Sequence, residues 1–285
     1  MGADVDDRPD PLGLNRVGYA EPLLAHQAVR VRDGMAAEGT EQIAEEVPVA
    51  LVYNGAPHVV MMATPADLED FVLGFSLTEG LIREPADLRA VEVVRYGQGI
   101  EVQATVTEAC MAGITQRHRR LTGRTGCGIC GSDSVAAVLG TVHQVGKGPQ
   151  VAPAALSRAI EGLAGRQPLN AVAGAVHAAG FATTGGSIVR IREDVGRHNA
   201  LDKLIGSLCR EGTDPGSGFI VVTSRASFEM VQKSTVFGTG MLAAISGPTG
   251  LAIRVAEQAG LTLVGFVRGS RYTIYTHPER LQSLA

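Results

Sequence analysis

Cys127-Gly128-Ile129-Cys130 is the segment of this 285-residue chain with the most chemical promise. Two thiols three positions apart, flanked by Gly126, Gly128 and Gly131, sit on backbone that is free to adopt unusual dihedrals and to let a bulky partner approach. A free thiol ionises at about pH 8.5, and neighbouring cations favour the reactive thiolate. Arg117, His118, Arg119, Arg120 and Arg124 all precede the pair. A structural zinc site would need two more ligands, for which Cys110 with His118 or His143 are the candidates, but there is no second Cys-x-x-Cys and no spaced His pair. A thioredoxin-like dithiol should lie early in a βαβ unit, after an aromatic residue rather than after Gly126. A structural pair in a turn is a third reading. The fourth, which the residues favour, is a nucleophilic thiolate carrying sulfur as a persulfide, with the second Cys tuning or releasing it by exchange.

Three further groups of residues combine charge with turn chemistry. In Glu193-Asp-Val-Gly-Arg-His-Asn-Ala-Leu-Asp-Lys203, backbone N–H groups at a helix start, with Arg197, His198 and Asn199, would form an anion or nucleobase site near Asp194. A capped helix with solvated Asp202 and Lys203 is the competing reading. In residues 224–234, Ser224, Arg225 and Ser227 fall where a strand runs into a helix, which is where open α/β sheets bind ligands; a helix cap alone would also explain the serines. In Phe266-Val267-Arg268-Gly269-Ser270-Arg271 two Arg bracket a Gly-Ser turn, an arrangement able to wrap a phosphate or simply to close a solvated hairpin. His177 begins a pattern similar to the His-x-Glu of zinc deaminases, but Ala179 stands where the essential carboxylate belongs.

Composition limits the classes of function. The chain is long enough to bury a core without a partner, 45% hydrophobic with 36 Gly and no Trp. A net charge of −4 argues against non-specific nucleic-acid binding, so any anion site must be local. Of 25 basic residues only Lys147, Lys203 and Lys233 are Lys. A GC-rich genome accounts for such a bias, although Arg also suits bidentate phosphate recognition. Four cysteines do not make a disulfide framework in a chain of this size, and Cys110 and Cys209 read as buried core thiols. No signal peptide and no apolar run of membrane-spanning length is visible, so the expectation is a cytoplasmic protein without membrane contact.

These residues need elements to hold them. Residues 1–40 are read as a flexible arm. The run from Val47 to Ala63 turns at Asn54-Gly55, a hairpin signal. Thr64 as N-cap and Pro65 in the first turn open a helix, with Asp67 at its third position and Gly80 at its end. A polar strand pair covers about Val91 to Thr107. Residues 151–167 are helical, and Pro168 to Gly180 reads as a small-residue buried helix entering a strand near Phe181. Beyond it, strands 187–192, 218–224, 241–246 and 261–268 alternate with helices 197–210, 227–237 and 251–260. That rhythm predicts an α/β layer structure with a mainly parallel sheet.

The chain resembles the FdhD family of formate dehydrogenase accessory sulfurtransferases from about Val47 to Leu281. The resemblance lies in Thr64 to Ile82, the Cys-Gly-Ile-Cys-Gly loop, Asp194 to Gly206, Ser224 to Ser234, and Gly265 to Leu281. It implies a small α+β N-terminal region, residues 41–140, ending in the cysteine loop, followed by a cytidine-deaminase-like α/β domain, 141–285, without zinc chemistry. It implies a homodimer that takes sulfur from a cysteine desulfurase as a persulfide on Cys127. The acceptor would be molybdenum in the bis-molybdopterin guanine dinucleotide cofactor, before that cofactor enters formate dehydrogenase. Residues 266–271 would bind the cofactor, and GDP would mimic it. Cys130 matches the second Cys of the motif. The rival reading is a non-catalytic chaperone of the same cofactor.

Overall fold

The computed structural model describes residues 21–121, with 117–121 by backbone alone, and residues 142–282. Strands β1 (Leu23–Arg32) and β2 (Met35–Ala44) form an antiparallel ribbon turning at Asp33 and Gly34, both at positive φ. Half of the range expected to be a flexible arm is therefore extended and paired. The ribbon left little trace in the sequence because most of both its faces are solvent-exposed, and a strand without a buried face has no period-2 apolar pattern to read.

A four-stranded sheet follows, built from β3 (Val47–Tyr53), β4 (Ala56–Ala63), β5 (Leu88–Tyr96) and β6 (Gly99–Val106) in the order β4-β3-β6-β5. The β3–β4 turn is at Asn54-Gly55, with φ of 47° and 80°, as the residue types require. Helix α1 (Leu68–Thr78) closes a core of Val49, Leu51, Tyr53, Phe71, Val72 and Val102. It begins later than expected. Asp67 is its N-cap, in the left-handed region, because Thr64 is engaged elsewhere: its N–H donates to Asp194 Oδ2 at 3.0 Å and its hydroxyl accepts from Val195 N at 3.1 Å. Helix α2 (Glu108–Leu121) leaves the sheet toward the cysteine segment.

The second sheet is six-stranded, in the order β12-β11-β10-β9-β7-β8. Its strands are β7 (His177–Thr183), β8 (Ile188–Asp194), β9 (Gly218–Val222), β10 (Met241–Ala244), β11 (Thr262–Arg268) and β12 (Arg271–Thr276). Only β9, β10 and β11 run parallel to their neighbours; the pairs β7–β8, β7–β9 and β11–β12 are antiparallel. The mainly parallel sheet of the sequence reading is thus corrected to a mixed one. The cause is connection length. A parallel step needs a helical crossover, which α6 (Phe228–Phe237) and α7 (Gly250–Ala259) supply, whereas β7–β8 and β11–β12 are joined by tight turns at Gly186 and Gly269.

Helices cover both faces. Ile220 and Val222 point into a core with α5 (Arg197–Arg210), α6 and α7, while Phe219 and Val221 point into another with α3 (Pro153–Ala164). Ala178, Ala179, Gly180 and Ala182 are small because they lie on an inner strand between these layers: a Cβ on Gly180 would lie 2.8 Å from Leu163 Cδ1. The expected long helix over residues 168–180 is accordingly a six-residue helix, α4 (Pro168–Ala173), with no buried residue, which stops at left-handed Gly174.

The two sheets are joined through α1 and α5, which touch backbone to backbone. A Cβ on Gly74 would sit 1.8 Å from Asp202 O, and one on Gly206 1.9 Å from Asp70 O. Three ion-paired groups, each built on a buried carboxylate, surround this crossing. Asp70 pairs with Arg192 at 2.6 Å and with Arg210; Asp202 pairs with Lys233 at 3.0 Å; Asp194 pairs with Lys203 at 2.6 Å.

Candidate functional site

Cys127 and Cys130, with Arg124 before them, lie outside the described residues. Both ends of their segment are anchored. On the upstream side α2 packs Cys110 and Ile114 into the first core, and its Met111, Ala112, Thr115 and Gln116 border a cavity of about 440 Å³ with Asn54 and Glu108. On the downstream side Val145 N donates to Ala259 O at 3.0 Å, and Arg280 Nη2 to Gly146 O at 2.8 Å. The described residues upstream of the cysteine segment thus pack with the first sheet, and those downstream with the second. Cys110 is buried as expected, and Cys209 is half-buried between the two cores; burial pushes the Cys209 thiol up to about 11.

The Glu193–Lys203 group divides into an inward and an outward part. Asp194 is fully buried. It accepts from Thr64 N at 3.0 Å, Gly196 N at 2.7 Å and Asn199 Nδ2 at 3.0 Å, and it pairs with Lys203, whose Nζ also donates to Thr64 O at 2.9 Å. A carboxylate so saturated positions its neighbours rather than meeting a ligand. Glu193 accepts from Leu169 N and Asn170 N at the start of α4. Asp202 and Lys203 are buried, not solvated.

Arg197 and His198 are half-buried on the first turn of α5, whose N-cap is Gly196 with no side-chain cap and no acidic residue nearby in that turn. His198 Nε2 lies 2.8 Å from Glu229 Oε2 and 3.5 Å from Ser227 Oγ, so the starts of α5 and α6 meet. The bond to His198 holds the Glu229 carboxyl below the usual carboxylate range, against the effect of burial. Arg197 Nε is buried without a hydrogen-bond partner among the described residues. His177, opposite Asp194 across the β7–β8 pair, joins this group. Burial pushes its imidazole down, Arg197 adds to that, and Asp194 opposes it. Ser224 is buried and donates to the carbonyl of Arg225 at 3.0 Å, a turn contact, whereas Arg225 is exposed. The sequence reading set His177 aside and missed Glu229; only its place in the first turn of α6 hinted at a partner for a basic group.

Residues 266–271 occupy the same rim. The regular pairing of β10 with β11 ends at Ala243 and Val264; beyond it Phe266 N donates to Ser246 O at 3.3 Å, and the adjoining Gly247 carbonyl accepts from Ala226 N at 3.3 Å, one residue before Ser227. Phe266 is 48% exposed at φ 55°, while Val267 is buried. Arg268 and Arg271 face each other across the turn, exposed, and neither has an ion-pair partner among the described residues. Gly269 takes φ 55°, and its carbonyl accepts from Ser157 Oγ of α3, which pins the turn. Beside it Ser270 and Arg271 line a cavity of about 630 Å³ with Tyr272, Thr273, Ile274 and Pro278. The rim thus unites a guanidinium pair, an exposed aromatic ring and a His–Glu pair at the carboxyl ends of parallel strands, the usual ligand edge of such sheets. Among the described residues no three His, Cys, Asp or Glu are placed to hold a metal ion. No helix among them is long and apolar enough to cross a membrane.

Comparison with known proteins gives this arrangement a family. The chain is 50% identical over 256 residues to a protein named sulfur carrier protein FdhD from Bordetella petrii, covering 89% of this chain and 92% of that one. It is also 50% identical over 252 residues to the protein of that name from Xanthomonas axonopodis pv. citri, covering 88% and 90%. A crystal structure described as a formate dehydrogenase accessory protein from Desulfotalea psychrophila superimposes with a TM-score of 0.71 at 25% identity, over 91% of this chain and 99% of that one. The sequence model of the FdhD/NarQ family matches residues 44–282, and the chain belongs to that family.

Proposed function

We propose that the protein is a sulfurtransferase serving formate dehydrogenase. The Cys127 thiolate attacks the outer sulfur of a cysteine desulfurase persulfide, displaces the desulfurase thiolate and becomes a persulfide itself. It then passes that sulfur to the molybdenum of a bis-molybdopterin guanine dinucleotide, held as substrate: the S–S bond breaks, Cys127 leaves as thiolate, and the transferred sulfur becomes a sulfide ligand by taking two electrons from the reduced metal centre. The observation that carries this reading is the rim at Phe266–Arg271, where two guanidinium groups without an ion-pair partner among the described residues bracket the Gly269-Ser270 turn, next in the chain to an exposed aromatic residue. Such a pair suits bidentate contact with phosphate. Half-identity to proteins named sulfur carriers supports the same conclusion.

In this reading Arg268 and Arg271 hold the cofactor's phosphates, and GDP stands in for the nucleotide end. Arg197 lies along the same edge and adds positive potential, His198 stands beside it as a hydrogen-bonding group, and Asp194 and Ser224 shape the backbone beneath them. The six-stranded sheet is taken as a cytidine-deaminase-like layer, and the protein as a cytoplasmic homodimer. Cys130 is the residue that releases or resolves the persulfide by exchange.

Two measurements test the proposal. Non-reducing mass spectrometry after incubation with desulfurase and cysteine should find one added sulfur atom on Cys127, absent in Cys127→Ser. A Cys127→Ser protein that still activates formate dehydrogenase in a strain lacking this gene refutes the transfer. Calorimetry with GDP should show binding that Arg268→Ala with Arg271→Ala weakens.

A further inference from the structure

We infer that the β1–β2 ribbon is an arm that packs against the same ribbon of a second copy of this chain. This deepens one part of the proposed function, the homodimer, and rests on it, while sulfur transfer does not enter. The ribbon ends where the family match begins, at residue 44, so that match does not account for it. Its strands pair from end to end without a bulge and join neither of the other sheets. An isolated two-stranded hairpin is marginally stable in water, and this one gains little from its own body, since no residue of either strand is buried.

The ribbon also carries five of the eleven exposed large hydrophobic residues among the described ones: Leu24, Val29, Val31, Met35 and Ile43, with Val31 at 66% and Met35 at 74%. Leu24, Met35 and Ile43 share one face and Val29 and Val31 the other, so neither face is built for water. Open apolar surface gathered in this way marks contact with another macromolecule. Two observations make that macromolecule a second copy. The first is charge. β1 carries Arg30 and Arg32 and no carboxylate, whereas β2 carries Glu38 and Glu41 and no Lys or Arg. A two-fold axis along the ribbon lays each basic strand over the acidic strand of the other copy, so the surface complements itself, as a contact between identical chains requires. The second is size. Two strands of 10 residues and their turn supply about the 20–30 residues that each side gives to a standard interface.

Sedimentation velocity of the full chain should show a dimer. Val31→Asp/Met35→Asp, one change on each face, should raise its dissociation constant about a hundredfold or more with the circular dichroism spectrum unchanged. Hydrogen exchange within residues 23–44 should be slow in the dimer and fast once the chain is diluted to monomer. Charge gives the sharper test. Arg30→Glu/Arg32→Glu makes both strands acidic, and Glu38→Arg/Glu41→Arg makes both basic, so neither variant should dimerise alone and the two mixed should form a heterodimer. Dimerisation of either charge variant alone at the parent's affinity overturns the strand-over-strand packing. A dimer that persists in Val31→Asp/Met35→Asp overturns the arm and leaves the homodimer to another surface. A monomeric parent chain overturns the homodimer and the arm together. Exchange in residues 23–44 that stays slow in the monomer also overturns the arm, because the ribbon would then be covered by its own chain.

Discussion

Lys203→Met offers the sharpest test of how the Glu193–Lys203 group works. Lys203 and Asp194 are both fully buried, with Nζ 2.6 Å from Oδ2. At an effective dielectric of 20 their attraction is about 6 kcal/mol, much of it offset by the cost of taking both ions out of water. Removing one partner leaves the other charge buried, and such truncations cost about 3–5 kcal/mol. Asp194 would keep its bonds from Thr64 N, Gly196 N and Asn199, which places Lys203→Met toward the lower figure. Asp194→Asn leaves an ammonium with only the Thr64 carbonyl and belongs at the upper one. Against a total stability of about 5–15 kcal/mol, either change is large. Urea unfolding of both single variants and of Asp194→Asn/Lys203→Met gives the coupling directly. The double variant should be more stable than the two single losses added together, by at least about 2 kcal/mol, and should still bind GDP. Additive losses would refute the account of this pair, and loss of GDP binding in a folded double variant would return Asp194 to the ligand site.

Other regions give independent tests. Glu229→Gln should flatten the acid side of the stability curve: a carboxyl held low by His198 stabilises above its ordinary value of 4.5 and loses that contribution as pH falls through its folded value. Thermal midpoints between pH 3 and 6, in which variant and parent run parallel, would contradict this. Gly74→Ala should cost at least about 2–3 kcal/mol in urea unfolding, since its methyl group would meet the Asp202 carbonyl at 1.8 Å; a neutral result would mean α1 and α5 are not in backbone contact. Cys209, whose thiol is pushed up to about 11, should be alkylated by iodoacetamide at pH 8 far more slowly than Cys127, as followed by peptide mass spectrometry. Equal rates would show Cys209 to be open.

The local elements were readable because their signals are local. Helix α5 runs from Arg197 to Arg210, the range its spacing predicts, and the Asn54-Gly55 turn is where positive φ was needed. The reading of Cys127-Gly128-Ile129-Cys130 as a reactive pair likewise rests on residue types and near neighbours alone. Packing decided the rest. Whether Asp194, Asp202 and Lys203 faced water or the core depended on α1 lying against α5, which two glycines far apart in sequence permit. Thr64 could not be seen as anything but a helix cap until β8 brought Asp194 and Val195 to it. Strand direction followed from connection lengths, and the mixed sheet from which of them contained helices. The rim is the clearest case: His177, His198, Glu229 and Phe266 come from four elements, and only the order and direction of the strands set them at one end of the sheet. Sequence determined which groups could do chemistry and where most helices and buried strands would lie, though not the exposed β1–β2 ribbon or the short extent of α4. The tertiary structure decided which of those groups were buried and paired and which reached the rim, because burial and pairing depend on contacts between segments that no local pattern encodes.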